Sequence, residues 1–134
     1  PDDSGVSPLA RHAEWYRVPP ATAAAVNRTR DAGGTAWGVG TTSLRALESV
    51  VDATGRIGTG EGETRIFIHP PYRVRSIDHL VTNFHLPRST LLMLVSAFAA
   101  PGESSGRATV LNAYAAAIAD KYRFFSYGDA MLIL

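Results

Sequence analysis

Extended and helical patterns alternate through the first 53 residues. A strand-like stretch is followed by a helical one, and this order is then repeated: HAEWYRV (12–18), ATAAAVNRTRDA (21–32), TAWGVG (35–40) and TTSLRALESVVDA (41–53). Pro19-Pro20 stops the first strand and Gly33-Gly34 ends the first helix. In the second helix Leu44, Leu47, Val50 and Val51 share one face, while Arg45, Glu48 and Asp52 are predicted on the other, exposed face.

The second half continues the alternation after a glycine-rich stretch. Residues 54–63 carry four glycines and predict a mobile loop. The segments that follow predict a strand (64–69) before Pro70-Pro71, a mostly extended stretch (73–84), a helix through Ala100 capped by Ser89 or Thr90, a helix (107–122) and a terminal strand and turn (123–134). The pattern therefore predicts an α/β fold, with strands and helices alternating around a mixed sheet.

Composition narrows the class of protein. The 134 residues are 46% hydrophobic and 19% charged, with a net charge of +1 and no cysteine, which is typical of a globular domain without disulfides. The apolar run 91–100 is too short to cross a bilayer, and no signal peptide is visible, so we expect a cytoplasmic protein without membrane contact. Because the chain starts at Pro1 without methionine, we expect residues 1–10 to be a flexible leader and the chain to be a piece of a longer protein.

The first candidate site is WGVGTTSLR (37–45), where a strand ends in glycine and hydroxyl residues open a helix. Unpaired N–H groups at such a helix start favour an anion, so Thr41, Thr42, Ser43 and Arg45 are candidate binding residues. The alternative is that Thr41 or Thr42 only caps the helix. The stretch is not a P-loop, since the lysine and the spacing are absent.

The second candidate is TNFHLPRST (82–90), where polar groups stand at a strand end. Asn83 and His85 are predicted on one strand face, with His85 as a base or hydrogen-bond donor and Arg88 as an anion contact. A satisfied structural histidine is the alternative. The four histidines have no metal-ligand spacing, so no zinc site is expected.

Two further stretches offer weaker candidates. In YRFFSYGDAM (122–131), Arg123, Tyr127 and Asp129 stand among aromatic residues and could hold a nucleobase, or Gly-Asp could only form a turn. In HAEWY (12–16), Glu14 is a candidate acid or base, or part of an exposed rim.

Three long stretches resemble the C-terminal part of the S-adenosylmethionine:tRNA ribosyltransferase-isomerase family of queuosine biosynthesis: GVGTTSLRALES, IFIHPPYRVRSIDHLVTNFHLPRSTLLMLVSAF and YRFFSYGDAMLI. The resemblance implies that residues 11–134 are the C-terminal part of an α/β barrel-like catalytic domain. It also implies transfer and isomerisation of the ribosyl group of S-adenosylmethionine onto 7-aminomethyl-7-deazaguanine in tRNA. Epoxyqueuosine would form, and adenine and methionine would be released.

The resemblance also implies roles for the candidate residues. S-adenosylmethionine would be a consumed substrate and no separate cofactor is expected, while tRNA carrying 7-aminomethyl-7-deazaguanine would be the partner. His85, Glu14 and Asp129 would be catalytic, and the remaining candidates would bind substrate: Thr41, Thr42, Ser43, Arg45, Asn83, Arg88, Ser89, Thr90, Arg123 and Tyr127. The alternative is a truncated, non-catalytic relative that binds tRNA or a partner subunit, and the fragment could self-associate.

Overall fold

A computed structural model of the chain describes residues 13–85, 89–124 and 128–134. Five strands and four helices alternate among these residues: β1 (Glu14–Val18), α1 (Pro20–Asp31), β2 (Trp37–Val39), α2 (Thr41–Glu48), β3 (Gly60–Thr64), β4 (His79–Asn83), α3 (Thr90–Ala99), α4 (Gly106–Ala119) and β5 (Ala130–Ile133). The predicted α/β class is confirmed. The predicted leader, residues 1–10, lies outside the described part of the chain.

A mixed three-stranded sheet positions the rest of the fold. Strand β4 lies at its centre, parallel to β2 and antiparallel to β5. Along β4, Leu80 and Thr82 are buried, while Val81 and Asn83 alternate with them and are half-buried. The side chains of Leu80 and Phe84 join the apolar residues of α3 and α4 in the main core. The sheet is therefore covered on one face by these two helices.

Helices α3 and α4 make an unusually close contact. Every residue of α3 from Leu92 to Phe98 is buried, as its apolar sequence predicts. A Cβ atom added to Gly106, the first residue of α4, would overlap the backbone carbonyl oxygen of Ser96. Glycine is therefore the residue that allows the two helix backbones to approach at this point.

The second sheet corrects the prediction for the glycine-rich stretch. Residues 60–64, expected in a mobile loop, form β3 and pair antiparallel with β1 from Glu14↔Thr64 to Val18↔Gly60. The predicted strand 64–69 is wrong beyond Thr64, because residues 65–69 have no regular structure. Strand β1 thus pairs with the glycine-rich segment, and Gly62 lies opposite Tyr16. A second, smaller core forms beside this sheet from Val18, Ala23 and Ile57.

Helix α2 also differs from the prediction. It ends at Glu48, whereas the pattern predicted a helix through residue 53. The Asp52 carboxylate accepts hydrogen bonds from the backbone N–H groups of Thr54 and Arg56 and from the Thr54 hydroxyl, which closes a turn in place of further helix. Val51 then bridges to Ile57. Similarly, the extended stretch 73–84 is a regular strand only at β4.

Glu48 is a further correction, since the sequence places it on the exposed face of α2. Its side chain is buried, and its carboxylate accepts hydrogen bonds from the Tyr72 hydroxyl (2.8 Å) and from the backbone N–H groups of Ser76 (2.8 Å) and Arg75 (3.2 Å). These bonds supply the partners that a buried carboxylate needs.

Within the described residues, no helix is both long and apolar enough to cross a membrane.

Candidate functional site

A cleft of about 370 Å³ opens where β2 and β4 end and α2 begins. Its lining comes from three separate segments of the chain: Val39, Gly40, Thr41, Thr42, Val81, Thr82, Asn83, His85 and Ala130. Because β2 and β4 are parallel, their carboxyl ends meet at the same edge of the sheet. This pairing brings together Thr41, Thr42, Asn83 and His85, which the sequence singled out in two separate motifs.

The start of α2 forms one wall of the cleft. Gly40 is the residue before the helix and has φ +96°, a conformation that favours glycine. Its N–H donates to the carbonyl oxygen of Val81 (2.8 Å), which joins the helix start to β4. No side chain caps the helix, so the alternative in which Thr41 or Thr42 is the cap is not supported. The first N–H groups of α2 are therefore available to an anionic ligand.

Thr41 and Thr42 place hydroxyl groups beside these N–H groups. Thr41 is only 9% exposed, lines the cleft, and makes no side-chain hydrogen bond to a described residue. Thr42 is exposed and also lines the cleft. The Thr41 Oγ1 is not among the buried side-chain atoms that lack a partner, so it is accessible from the cleft and can bond to a ligand there. Ser43 is exposed but does not line the cleft, so the structure separates it from the other two.

His85 forms the opposite wall, just beyond the end of β4. Its Nε2 lies 2.9 Å from the Thr82 Oγ1, and its backbone N–H donates to the Tyr114 hydroxyl oxygen (2.8 Å). Burial lowers the pKa of His85 and raises the pKa of Tyr114. The imidazole is therefore held by Thr82 and the backbone by Tyr114, and the lowered pKa favours the neutral ring.

Asn83 completes the polar lining. Its side chain is half-buried, lines the cleft with His85, and makes no hydrogen bond to a described residue. A free carboxamide offers both a donor and an acceptor to a ligand. The strand ends at Asn83, and the alternation of burial continues through buried Phe84 to half-buried His85, so Asn83 and His85 both line the cleft.

Arg45 and Glu14 lie outside the cleft and contact each other. The Arg45 side chain is mostly buried; its guanidinium forms an ion pair with the Glu14 carboxylate and donates to the carbonyl oxygen of Ile66 (3.1 Å). Burial lowers the pKa of Arg45. Helix α2 is thereby tied to β1, and Glu14 has a cation that orients it, which the sequence did not reveal.

The remaining candidates divide between structural positions and positions that are not described. Ser89 caps α3, because its hydroxyl accepts a hydrogen bond from the Leu92 N–H (3.1 Å), and Thr90 is the first helical residue. The Asp129 carboxylate accepts from the backbone N–H of exposed Arg123 (2.6 Å). None of these four lines the cleft. Arg88 and Tyr127 lie outside the described residues.

Sequence reasoning missed Thr82 and Tyr114, which fix His85. Thr82 lies in the same motif as His85, three residues before it, whereas Tyr114 follows His85 by 29 residues and belongs to no local motif. A threonine among the apolar residues of a strand needs a hydrogen-bond partner when buried, and this could have indicated the role of Thr82. Among the described residues, no group of three or more His, Asp or Glu side chains could hold a metal ion.

Comparison with known proteins identifies the relatives of the chain. The family model described as queuosine biosynthesis protein matches residues 4–133. A protein of Thiobacillus denitrificans named S-adenosylmethionine:tRNA ribosyltransferase-isomerase is 62% identical over 91% of this chain and 33% of its own length. A protein of the same name from Symbiobacterium thermophilum is 55% identical over 92% of this chain and 34% of its own.

A solved structure shows the same fold. The crystal structure of S-adenosylmethionine tRNA ribosyltransferase from Thermotoga maritima superposes with a TM-score of 0.77 and 46% sequence identity, over 90% of this chain and 40% of that chain. The chain thus spans about a third of the length of the curated relatives that it matches.

Proposed function

The chain belongs to the queuosine biosynthesis protein family, and on this premise we propose that its cleft binds S-adenosylmethionine for ribosyl transfer and isomerisation on tRNA. The acceptor would be 7-aminomethyl-7-deazaguanine in the tRNA, and epoxyqueuosine, adenine and methionine would be the products. S-adenosylmethionine is then a consumed substrate and no separate cofactor takes part. The observation that carries the proposal is the cleft itself, which joins an uncapped helix start to Asn83 and His85.

The start of α2 is suited to the carboxylate of the methionine part of S-adenosylmethionine. The N–H groups of the first turn are uncapped, and the helix dipole favours negative charge at this end. The hydroxyls of Thr41 and Thr42 lie in the same wall and can donate to a carboxylate oxygen. The alternative of a tRNA phosphate at this position uses the same chemistry, and the ligand in the experiment below decides between them.

The opposite wall is suited to the sugar and to the leaving base. The Asn83 carboxamide has no protein partner in the described part of the chain and can bond to a ribose hydroxyl. His85 is fixed beside it and can contact adenine as it departs. The reaction also needs a base for the carbon beside the sulfonium. Glu14 stays a prediction for that role: its carboxylate is oriented by Arg45 but lies outside the cleft lining, so the substrate would have to extend beyond the cleft to reach it.

The other assigned residues take more distant roles in this proposal. Arg45 would act through its pairing with Glu14, and Ser89 through its cap on α3. The hydrogen bond from Arg123 would fix Asp129, the residue before Ala130 of the cleft. A tRNA partner implies a cytoplasmic location. Self-association of the chain stays a prediction, to be read from its molar mass by light scattering.

Calorimetric titration of S-adenosylmethionine into the chain tests the proposal. We expect saturable binding by the parent chain and affinity about 5–10-fold weaker in Asn83→Ala and Thr42→Val, since each loses about one hydrogen bond worth about 1 kcal/mol. His69→Ala is the matched control for His85→Ala, because His69 is exposed and bonds only to the neighbouring Pro70 carbonyl oxygen. The control should bind like the parent.

Free adenine measures the chemical step. With tRNA carrying 7-aminomethyl-7-deazaguanine present, adenine release by the parent and its loss in His85→Ala would support the full reaction. Binding without adenine would support a binding role and contradict catalysis by this chain alone. If the parent does not bind S-adenosylmethionine, or if every cleft variant binds as tightly as the parent, the cleft is not the substrate site. Binding of inorganic phosphate in its place would favour the tRNA-phosphate alternative.

A further inference from the structure

The contact between Thr82 and His85 determines which nitrogen of the imidazole carries its proton. Thr82 is 4% exposed in the middle of the sheet, and its Oγ1 lies 2.9 Å from His85 Nε2. No described residue offers Thr82 another side-chain hydrogen bond. The buried hydroxyl and the half-buried imidazole are therefore a pair in which one group must donate and the other must accept.

Of the two groups, the Thr82 hydroxyl is the donor and the His85 Nε2 the acceptor, for the following reason. A buried O–H without an acceptor loses the hydrogen bond that it had in water, at a cost of about 1–3 kcal/mol. If Nε2 carried the proton, the ring would donate to Oγ1 and the Thr82 hydrogen would have no acceptor among the described residues. If the hydroxyl donates to Nε2, both polar atoms of the contact are satisfied. The proton of the neutral ring then lies on Nδ1.

The surroundings of the ring allow Nδ1 to meet a ligand. His85 lines the cleft, and its Nδ1 is not among the buried, unpartnered side-chain atoms of the described residues. The backbone is anchored to the hydroxyl of Tyr114, which is 3% exposed and packs edge-to-face on Phe84. Because both the ring and the backbone are fixed, rotation of the ring to present Nε2 would break the Thr82 contact.

Burial supports the neutral form of this histidine. It lowers the pKa of His85, so the ring stays uncharged where an exposed histidine begins to take up a proton. A neutral imidazole has one donor and one acceptor nitrogen, and a neutral histidine can polarise a substrate atom as a hydrogen-bond donor.

We propose that Thr82 is a positioning residue that holds His85 in the Nδ1–H tautomer, so that His85 presents a hydrogen-bond donor, and not a base, to the ligand in the cleft. The proposal rests on the proposed function for the identity of that ligand. Its chemical class is a nitrogen or oxygen atom that gains negative charge in the reaction, such as the nitrogen of adenine as its bond to the sugar breaks. The proton stays on Nδ1 throughout. Another group removes the proton beside the sulfonium, and adenine, which leaves with the electron pair of the broken bond, takes up its proton from water.

Nitrogen-15 NMR of the histidine rings tests the tautomer directly. Long-range proton–nitrogen spectra of the chain labelled at histidine distinguish a protonated from a bare ring nitrogen, and His85→Gln assigns the signals. At about pH 7.5, we expect His85 of the parent as the Nδ1–H form. Thr82→Ser keeps the hydroxyl and should keep this form, whereas Thr82→Val removes the donor and should shift the ring toward the Nε2–H form.

The outcomes separate this proposal from the proposed function. An Nε2–H ring or an imidazolium in the parent overturns it, whether or not S-adenosylmethionine binds, as does an unchanged Nδ1–H ring in folded Thr82→Val. If Thr82→Val does not fold, the parent and Thr82→Ser spectra still decide the tautomer. Thr64→Val is the control for loss of a buried threonine hydroxyl, since Thr64 lies in the other sheet and its hydroxyl oxygen accepts a hydrogen bond from the Ser49 hydroxyl. That variant should leave the His85 signals unchanged.

Activity gives a second readout that a purely structural role would not move. Where adenine release is measurable, Thr82→Val should lower kcat about 10-fold or more with little change in KM, because the lost interaction acts in the transition state. Thr82→Ser should restore most of the rate. A change confined to KM would contradict the donor role.

Discussion

Replacing Glu48 tests how one buried carboxylate organises the segment after the second sheet. Its two oxygens accept the Tyr72 hydroxyl and two backbone N–H groups, of which that of Ser76 is completely buried. In Glu48→Ala the Ser76 N–H loses its carboxylate partner, which costs about 1–3 kcal/mol. The Tyr72 hydroxyl is half-buried and can turn to water, so its loss costs about 1 kcal/mol.

We therefore expect Glu48→Ala to lower the free energy of unfolding by about 3 kcal/mol, and Glu48→Gln by about 1–2 kcal/mol, because the amide oxygen still accepts. Urea unfolding followed by circular dichroism measures both values, with an unchanged slope showing that the same surface is exposed. Glu63→Ala is the matched control. Glu63 is exposed in β3, and its side chain makes no hydrogen bond or ion pair to a described residue, so its loss should change stability by less than about 0.5 kcal/mol.

The ionisation of Tyr72 provides an independent check of the same contact. Burial raises the pKa of Tyr72 to about 12, with further contributions from the Glu48 hydrogen bond and charge. Since the folded pKa exceeds the ordinary 10.0, this stabilisation is complete below pH 10.0 and is lost as the pH rises toward about 12. Ultraviolet titration of Glu48→Gln should show a lower Tyr72 pKa that still exceeds 10.0, because burial remains.

Two results would refute the reasoning about Glu48. One is a free energy of unfolding in Glu48→Ala within about 0.5 kcal/mol of the parent. The other is a Tyr72 pKa that does not move in Glu48→Gln. Either would mean that the carboxylate does not hold residues 72–76 in the way described.

Three further substitutions have defined outcomes. Gly106→Ala should lower the free energy of unfolding by about 3 kcal/mol or more, because the new Cβ would overlap the carbonyl oxygen of Ser96. Asn112→Ala, at an exposed position of the same helix, is the control in urea unfolding. Equal stability of the two variants would contradict the close helix contact. Arg30→Lys should lower the free energy of unfolding by about 1–3 kcal/mol, since Arg30 donates to three backbone carbonyl oxygens and to Asp78. Arg28→Lys, at an exposed position, should leave stability unchanged. A similar loss of stability in both variants would point to helix propensity instead. Because burial lowers the pKa of His85, the stability that the neutral ring contributes is complete above the ordinary pKa of 6.5 and is lost as the pH falls below it. The free energy of unfolding of His85→Gln should therefore fall less steeply than that of the parent between about pH 7.5 and about pH 5. The same slope in both proteins would contradict this assignment.

Local pattern was sufficient where one face of an element is apolar and its ends carry standard signals. Helix α3 is an example, since the sequence predicted its apolar run and a cap at Ser89 or Thr90, and Ser89 is the cap. Helix α1 ends one residue before the position that Gly33-Gly34 predicted. The same reasoning failed for β3, because glycine-rich segments are typical of loops and the pairing with β1 depends on residues more than 40 positions away.

The candidate site shows the same division between local and long-range information. The sequence identified Thr41, Thr42, Asn83 and His85 from residue type and from their place at the ends of elements. It could not show that the two pairs share a cleft, because the parallel pairing of β2 and β4 leaves no trace in local periodicity. For the same reason Arg45 was assigned to a ligand, whereas its guanidinium pairs with Glu14.

The cleft is built from residues 39–42, residues 81–85 and residue 130, which only the folded sheet brings together. A ligand that needs all three segments has nothing to bind in the unfolded chain. Occupancy is then thermodynamically linked to folding, and a ligand at a hundred times its dissociation constant adds about 2.7 kcal/mol to the stability of the whole chain. For a small α/β chain, supply of such a ligand would thus set how much of the protein survives in the cell.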